Sequence, residues 1–241
     1  QHRLIADVVC FPGCHINHLT PRTLDIDRVQ AQMAEYGIEP KAVIEGPPRR
    51  DVPLLLRQTS FKALEEPVKF AGDGQGTHTA RFGEIEQRGI ALTQKGRALY
   101  DKLLNEAGVG SDNLTHQLHL QDVFKAFPDS EFLLRQQGLA WFRYRLTPAG
   151  EAHRQAFHPG DDPQPLIERG WVIAQPIIYE DFLPVSAAGI FQSNLGNGNS
   201  TRHHGNASRD AFEQALGCPV LDEFTLYEQA EARSKRRCGL L

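Results

Sequence analysis

The sequence predicts an α+β protein: a βαβββ unit, then added helices, then a C-terminal region of strand and helix. Three observations predict it. Ile26, Val29, Met33 and Tyr36 recur at the spacing of one helix face. On either side of them lie short apolar or β-branched runs, parted by turns rich in proline and glycine. From about residue 93 the pattern turns helical, and near Trp171 it returns to strand-like, β-branched and aromatic composition.

In chain order, residues 14–20 alternate as a strand and lead directly into the helix from Asp25 to Tyr36, which Gly37 stops. "KAVIEG" and "VPLLLRQTSF" are the next strands, separated by the polar turn "PPRRD". After "EEPVKF", the glycine-rich "AGDGQGT" reads as a loop, and "HTARFGEIEQRGIAL" extends as one long strand. "TQKGRALYDKLLNEAG" starts at a threonine cap, carries Leu99, Leu103 and Leu104 on one face and ends at Gly108. "LTHQLHLQDVFKAF", "SEFLLRQQGLAWFRYRL" and "TPAGEAHRQAF" continue the mixed helical reading as far as the loop "HPGDDPQP". "WVIAQPIIYEDFLPVSAAGIF" is strand-like, "SNLGNGNSTRHHGNAS" is a polar glycine-rich loop, and "SRDAFEQALG" and "DEFTLYEQAEARSKRR" are two short helices.

Composition narrows the function classes. The 241 residues are 40% apolar and 23% charged, with a net charge of −4, so the basic excess of a nucleic-acid surface is missing. The longest apolar runs fall far short of the roughly 20 residues that span a bilayer. No signal-peptide pattern opens the chain, and the expected location is the cytoplasm. Cys10, Cys14, Cys218 and Cys238 form no paired CxxC set, so reduced thiols are expected. The first ten residues read as the middle of a fold, which suggests a piece of a longer protein.

Two stretches carry ligand-type residues. In "CHINHLTPRTLDID", His15 and His18 are three apart on a strand and point to opposite faces, so at most one joins a given site. In "RFGEIEQRG", Glu84 and Glu86 share a face by their two-residue spacing, with Arg88 on that face too. Buried acids side by side repel unless a cation or a proton neutralises them. Imidazole plus carboxylate is the donor set of the two-His-one-carboxylate triad, which binds Fe(II) and leaves positions open for oxygen and substrate. Each residue also has a plainer reading, as a packed histidine or a solvated ion-pair row.

The βαβββ order with "INHLTPRTLDID" and "GEIEQR" resembles a vicinal-oxygen-chelate module, whose curved mixed sheet binds metal through a His on its first strand and a Glu on its last. "HINHLTPRTLDID", "IEGPPRR", "LLRQTSFKALEE", "HTARFGEIEQRG", "GLAWFRYRL", "EDFLPVSAAGIFQSNL" and the closing "SKRRCGLL" together resemble one family, that of YdcJ and 2-oxoadipate dioxygenase/decarboxylase. The resemblance covers essentially the whole chain. It implies a non-haem Fe(II) enzyme that converts 2-oxoadipate and O₂ to D-2-hydroxyglutarate and CO₂, a step of lysine breakdown. By position, it implies His18, favoured over His15, and Glu84, favoured over Glu86, as metal ligands. It also places Val185 and Ser186 at the distal carboxylate of the substrate.

The family's first metal His and a substrate-binding Arg lie in an "HGAIR" motif of its N-terminal half. That motif is absent here, which implies that this chain is the C-terminal portion and that the N-terminal half is its partner. His78, with the parity of Glu84 on a continuous strand, is a further ligand candidate. Arg22 and Arg57 are candidate carboxylate partners. The expected division is a βαβββ metal-binding module at 1–92 and a helical and strand extension at 93–241, packed on it as one continuous domain. The expected ligands are a 2-oxo dicarboxylic acid, O₂ and Fe(II), with neither nucleic acid nor membrane as partner. The rival expectations are a divalent-metal isomerase or hydrolase of the chelate superfamily, and a non-catalytic binding domain.

Overall fold

A computed structural model of the protein describes residues 21–40, 43–62, 64–69, 75–80, 83–108, 113–180 and 209–241. The chain divides into two compact units, Gln1–Gly89 with Tyr100–Pro128 and Ile90–Leu99 with Asp129–Leu241. Mixed α and β structure is found in both, as expected.

In the first unit, helix α1 (Ile26–Glu35) begins where the Asp25 carboxylate accepts the Arg28 N–H at 3.0 Å, an N-cap that satisfies one of the helix's free donors. Its buried face is Ile26, Gln30 and Met33. Tyr36, expected on that stripe, is exposed, because the helix ends before it and Gly37 takes φ +71°.

The strands β1 (Glu39–Pro40), β2 (Leu56–Lys62) and β5 (Gly83–Arg88) form an antiparallel sheet in the order β1-β2-β5. Its register sets Ser60 opposite Glu84 and Gln58 opposite Glu86. On the far side of β5, the segment around Arg22 runs parallel to it: Thr23 N–H donates to the Glu86 carbonyl at 2.8 Å, and Glu86 N–H to that of Pro21 at 3.1 Å.

The single long strand expected from "HTARFGEIEQRGIAL" does not form. Its first part belongs to β4 (Gln75–Ala80), which pairs with β3 (Leu64–Lys69) in a separate two-stranded sheet, and its second part is β5. β3 comes from "EEPVKF", and Gln75 of the expected glycine-rich loop opens β4. Among its described residues, "KAVIEG" contributes the bridge Glu45↔Gln58 instead of a full strand. Gly46, at φ +103°, passes so close to the Leu56 carbonyl that a Cβ would lie 2.3 Å from it. "VPLLLRQTSF" is extended only from Leu56, because Leu55 stands at φ +46°.

Helix α3 (Asn113–Val123) and a 3₁₀ turn at Phe124–Ala126 complete this unit. Arg50 donates to the Phe124 and Phe127 carbonyls at 3.0 and 2.7 Å, which ties the turn to the segment before β2.

Helix α2 (Gln94–Ala107) forms as expected, from Thr93, whose hydroxyl accepts the Gly96 N–H, to Gly108 at φ +65°. In the second unit, β6 (Phe142–Leu146) pairs antiparallel with β7 (Val172–Pro176), and the bridges Leu92↔Ala140 and Ile90↔Ile178 extend the pairing. Here the helical expectation for "SEFLLRQQGLAWFRYRL" fails after α4 (Glu131–Gln136). Gly138, at φ +64°, ends the helix, and F-R-Y-R then alternates buried and exposed as a strand.

Helices α5 (Pro148–Ala152), α6 (Pro163–Glu168), α7 (Arg209–Leu216) and α8 (Glu223–Cys238) follow. Leu134, Leu139, Phe142 and Val172 form the centre of this unit's core. Among the described residues, no helix is long and apolar enough to cross a membrane.

Candidate metal centre

Strand β5 supplies the candidate ligands. Because side chains alternate across a strand, Glu84, Glu86 and Arg88 share one face, joined there by Gln58 and Ser60 of β2. Both carboxylates are buried, at 7% and 5% exposure, in a setting where an unneutralised charge is costly. Glu86 is neutralised by the protein itself. Arg88 Nε donates to its Oε1 at 2.7 Å and Arg88 Nη2 to its Oε2 at 3.4 Å, while Arg22 Nε reaches Oε1 at 3.3 Å. Arg22, expected as a candidate carboxylate partner, thus holds a carboxylate of its own chain.

Arg57 lies on the other face of the sheet, opposite Gln87 in the register. Its guanidinium donates twice to Asp27 of α1, at 2.6 and 2.8 Å, and to Gln117 of α3 at 3.1 Å. Burial alone would raise the Asp27 carboxyl. The hydrogen bonds and charge of Arg57, with the charge of Arg49, outweigh it and hold that carboxyl below its ordinary range. The structure therefore does not bring Arg57 to Glu84 and Glu86; it places it where it ties two helices to the back of the sheet.

His78 sits in β4 opposite Glu66, in a different sheet from Glu84. His15, His18, Val185, Ser186 and the "STRHHGNAS" histidines lie outside the described residues. Among the described residues, no group of three His, Cys, Asp or Glu side chains could hold a metal ion. This face of the sheet carries two buried carboxylates, Glu84 and Glu86, the second held by the Arg88 and Arg22 guanidinium groups. The parity of Arg88 signalled its place next to the acids. Nothing in the sequence signalled Asp27 and Gln117 as partners of Arg57, because those contacts come from helix packing.

The comparisons with known proteins bear on this strand. The profile of the 2-oxoadipate dioxygenase/decarboxylase family matches residues 1–194. The 2-oxoadipate dioxygenase/decarboxylase of Escherichia coli (strain K12) is 83% identical over 241 residues, covering 100% of this chain and 54% of the relative. The crystal structure of YdcJ from Shigella flexneri superposes with a TM-score of 0.79 at 75% identity, over 99% of this chain and 51% of that one. That of the hydroxyglutarate synthase from Pseudomonas putida in complex with 2-oxoadipate gives 0.78 at 53% identity, over 98% of this chain and 53% of that one. The chain thus spans about half the length of the relatives it matches. With a profile match over most of its length and high identity from end to end, the chain belongs to the 2-oxoadipate dioxygenase/decarboxylase family.

Proposed function

We propose that this chain carries the C-terminal half of a cytoplasmic non-haem Fe(II) enzyme that converts 2-oxoadipate and O₂ to D-2-hydroxyglutarate and CO₂, a step of lysine breakdown. The observation that carries the reading is the 83% identity along the whole chain to a relative of that name. The reaction balances: C₆H₈O₅ and O₂ give C₅H₈O₅ and CO₂, with both oxygen atoms taken up and one carbon–carbon bond broken.

Glu84 and His18 are the ligands this chain would give the metal, with the remaining imidazole coming from the family's other half. Bound Fe(II) supplies the redox chemistry with O₂ that no side chain can perform. Glu84 is preferred over Glu86 by its alignment with the family's glutamate in "GEIEQR". Arg88 and Arg22 neutralise Glu86, which lowers the negative charge that an incoming dicarboxylate meets. His18 is supported by the parallel bridge between Arg22 and Glu86. It precedes Arg22 by four residues, at most about 14 Å of extended chain. The same bridge beside β5 is what a vicinal-oxygen-chelate arrangement, with first and last strands adjacent, would require. Val185 and Ser186 are proposed to receive the distal carboxylate through a backbone N–H or the Ser186 hydroxyl, which would fix the length of the substrate.

The test is anaerobic loading of the full-length protein with Fe(II), followed by metal analysis and oxygen uptake with 2-oxoadipate. Stoichiometric iron with coupled uptake of O₂ and release of CO₂ is expected. Glu84→Gln and His18→Ala should each abolish iron-dependent turnover while leaving the circular dichroism spectrum unchanged. Unchanged turnover in either variant removes that residue from the metal. Turnover with Zn(II) or Mn(II) and no oxygen uptake would point to a chelate-superfamily isomerase or hydrolase, and failure to hold any metal to a non-catalytic binding domain.

A further inference from the structure

The second unit contains a cavity of about 470 Å³, within the range of small-molecule sites. One wall is β6, which turns Phe142 and Tyr144 inward, and Trp141 precedes them. Arg135 of α4 lies 5.5 Å over the Phe142 ring and Lys235 of α8 lies 5.1 Å over the Tyr144 ring. Both cations are held in place. Arg135 donates to Gln164 at 2.5 Å, and Gln164 in turn donates to Glu168 at 2.8 Å; Lys235 donates to Glu231 at 2.6 Å.

Their charges are met differently. Lys235 has a carboxylate, whereas the partners of Arg135 are a neutral amide and an aromatic ring. One further donor lines this wall: Tyr144 is only 5% exposed, and its hydroxyl makes no hydrogen bond among the described residues. Burial, and then the negative charge of Glu231, hold that phenol well above its usual range, so it remains a protonated donor. A donor enclosed this far without a protein acceptor is available to a ligand oxygen.

The lining also contains three carboxylates, Asp162, Glu168 and Glu231, against the two cations Arg135 and Lys235. A dianion would meet net repulsion there, whereas a ligand with one carboxylate and one ammonium would not. We propose that this cavity is a second binding site, separate from β5, for a small zwitterionic amino acid with an apolar body. Its carboxylate is received by Arg135 and Tyr144, its ammonium by the acidic side of the lining, and its body by the aromatic walls.

Isothermal titration calorimetry on the full-length protein tests this with L-phenylalanine, 3-phenylpropionate, which lacks the ammonium, and phenethylamine, which lacks the carboxylate. Saturable binding is expected for L-phenylalanine, with at least tenfold weaker binding of the other two. Arg135→Gln should weaken L-phenylalanine binding at least tenfold. Tyr144→Phe, which keeps the ring and so the packing, should weaken it severalfold and decides the matter if Arg135→Gln does not fold. Absence of saturable binding, equal binding of 3-phenylpropionate, or an unchanged affinity in folded Tyr144→Phe would each overturn the proposal.

Discussion

Glu84 and Glu86 stand two residues apart on one strand face, and Glu86 is ion-paired with Arg88 and Arg22 at 2.7 and 3.3 Å. Glu86→Gln should lose about 1–3 kcal/mol of stability, as charge-assisted hydrogen bonds are lost, and, if Glu84 is the ligand as proposed, should still bind Fe(II). Urea unfolding together with metal analysis checks both halves of that statement. Loss of iron in Glu86→Gln would instead assign the ligand to Glu86. On the opposite face, the Arg57 side chain is 3% exposed and that of Asp27 26%, so their pair is shielded without being fully dry. Asp27→Asn should cost about 2 kcal/mol, less than the 3–5 kcal/mol of a fully buried pair. The pH dependence has a definite sign. The Asp27 carboxyl is depressed in the folded state, so its contribution is complete above the ordinary value of 3.8 and is lost as pH falls through the lower folded value. The gap in stability between wild type and Asp27→Asn should narrow in that acid range, and a gap independent of pH would show that the pair does not stabilise through its charge.

At the level of elements, β6 has one edge paired with β7 and the other completed by helix side chains. Glu231 Oε2 accepts the Phe142 N–H at 2.9 Å, and Ser234 Oγ accepts the Tyr144 N–H at 3.0 Å, so α8 stands in for a third strand. Ser234 is 7% exposed, and Ser234→Ala leaves the Tyr144 N–H buried without an acceptor. The expected loss is about 1–3 kcal/mol, with faster amide hydrogen exchange at Tyr144. Arg233→Ala, one residue away on the exposed side of the helix, should change stability by less than about 0.5 kcal/mol. Equal effects of the two substitutions would remove the edge-closing role of Ser234. The sequence was informative where the deciding signal is local. Thr93 and Gly108 bounded α2, and the "DEFTLYEQAEARSKRR" helix closely matches α8, which Asp222 caps. It misled where two periods compete. F-R-Y-R-L follows a helical run, and its period-two alternation is only four or five residues long, too short to stand out until Gly138 is recognised as a stop. The break between β4 and β5 was hidden for a different reason, since strand composition does not say which sheet a strand joins.

For the whole molecule the same distinction governs the site. Parity alone set Glu84, Glu86 and Arg88 on one face, because alternation belongs to a single strand. It could not separate Arg57 from them, since that needs the register of β2 against β5, a property of two segments distant in sequence. A metal held between such distant segments makes binding and folding one equilibrium, because the unfolded chain does not hold the ligands together. If Glu84 and His18 share the ion, Fe(II) must bind the folded state selectively and stabilise it by mass action, by about 2.7 kcal/mol at a hundred times its Kd. Anaerobic Fe(II) should then raise the Tm of the full-length protein by several degrees, and a chelator should reverse the rise. Glu84→Gln should show little or no rise at the same iron concentration, while Glu86→Gln, starting from a lower Tm, should still respond. This response depends on binding and not on turnover, so it separates a lost ligand from a lost catalytic step. A Glu84→Gln protein stabilised by iron as much as wild type would place the ion elsewhere, however the activity changed.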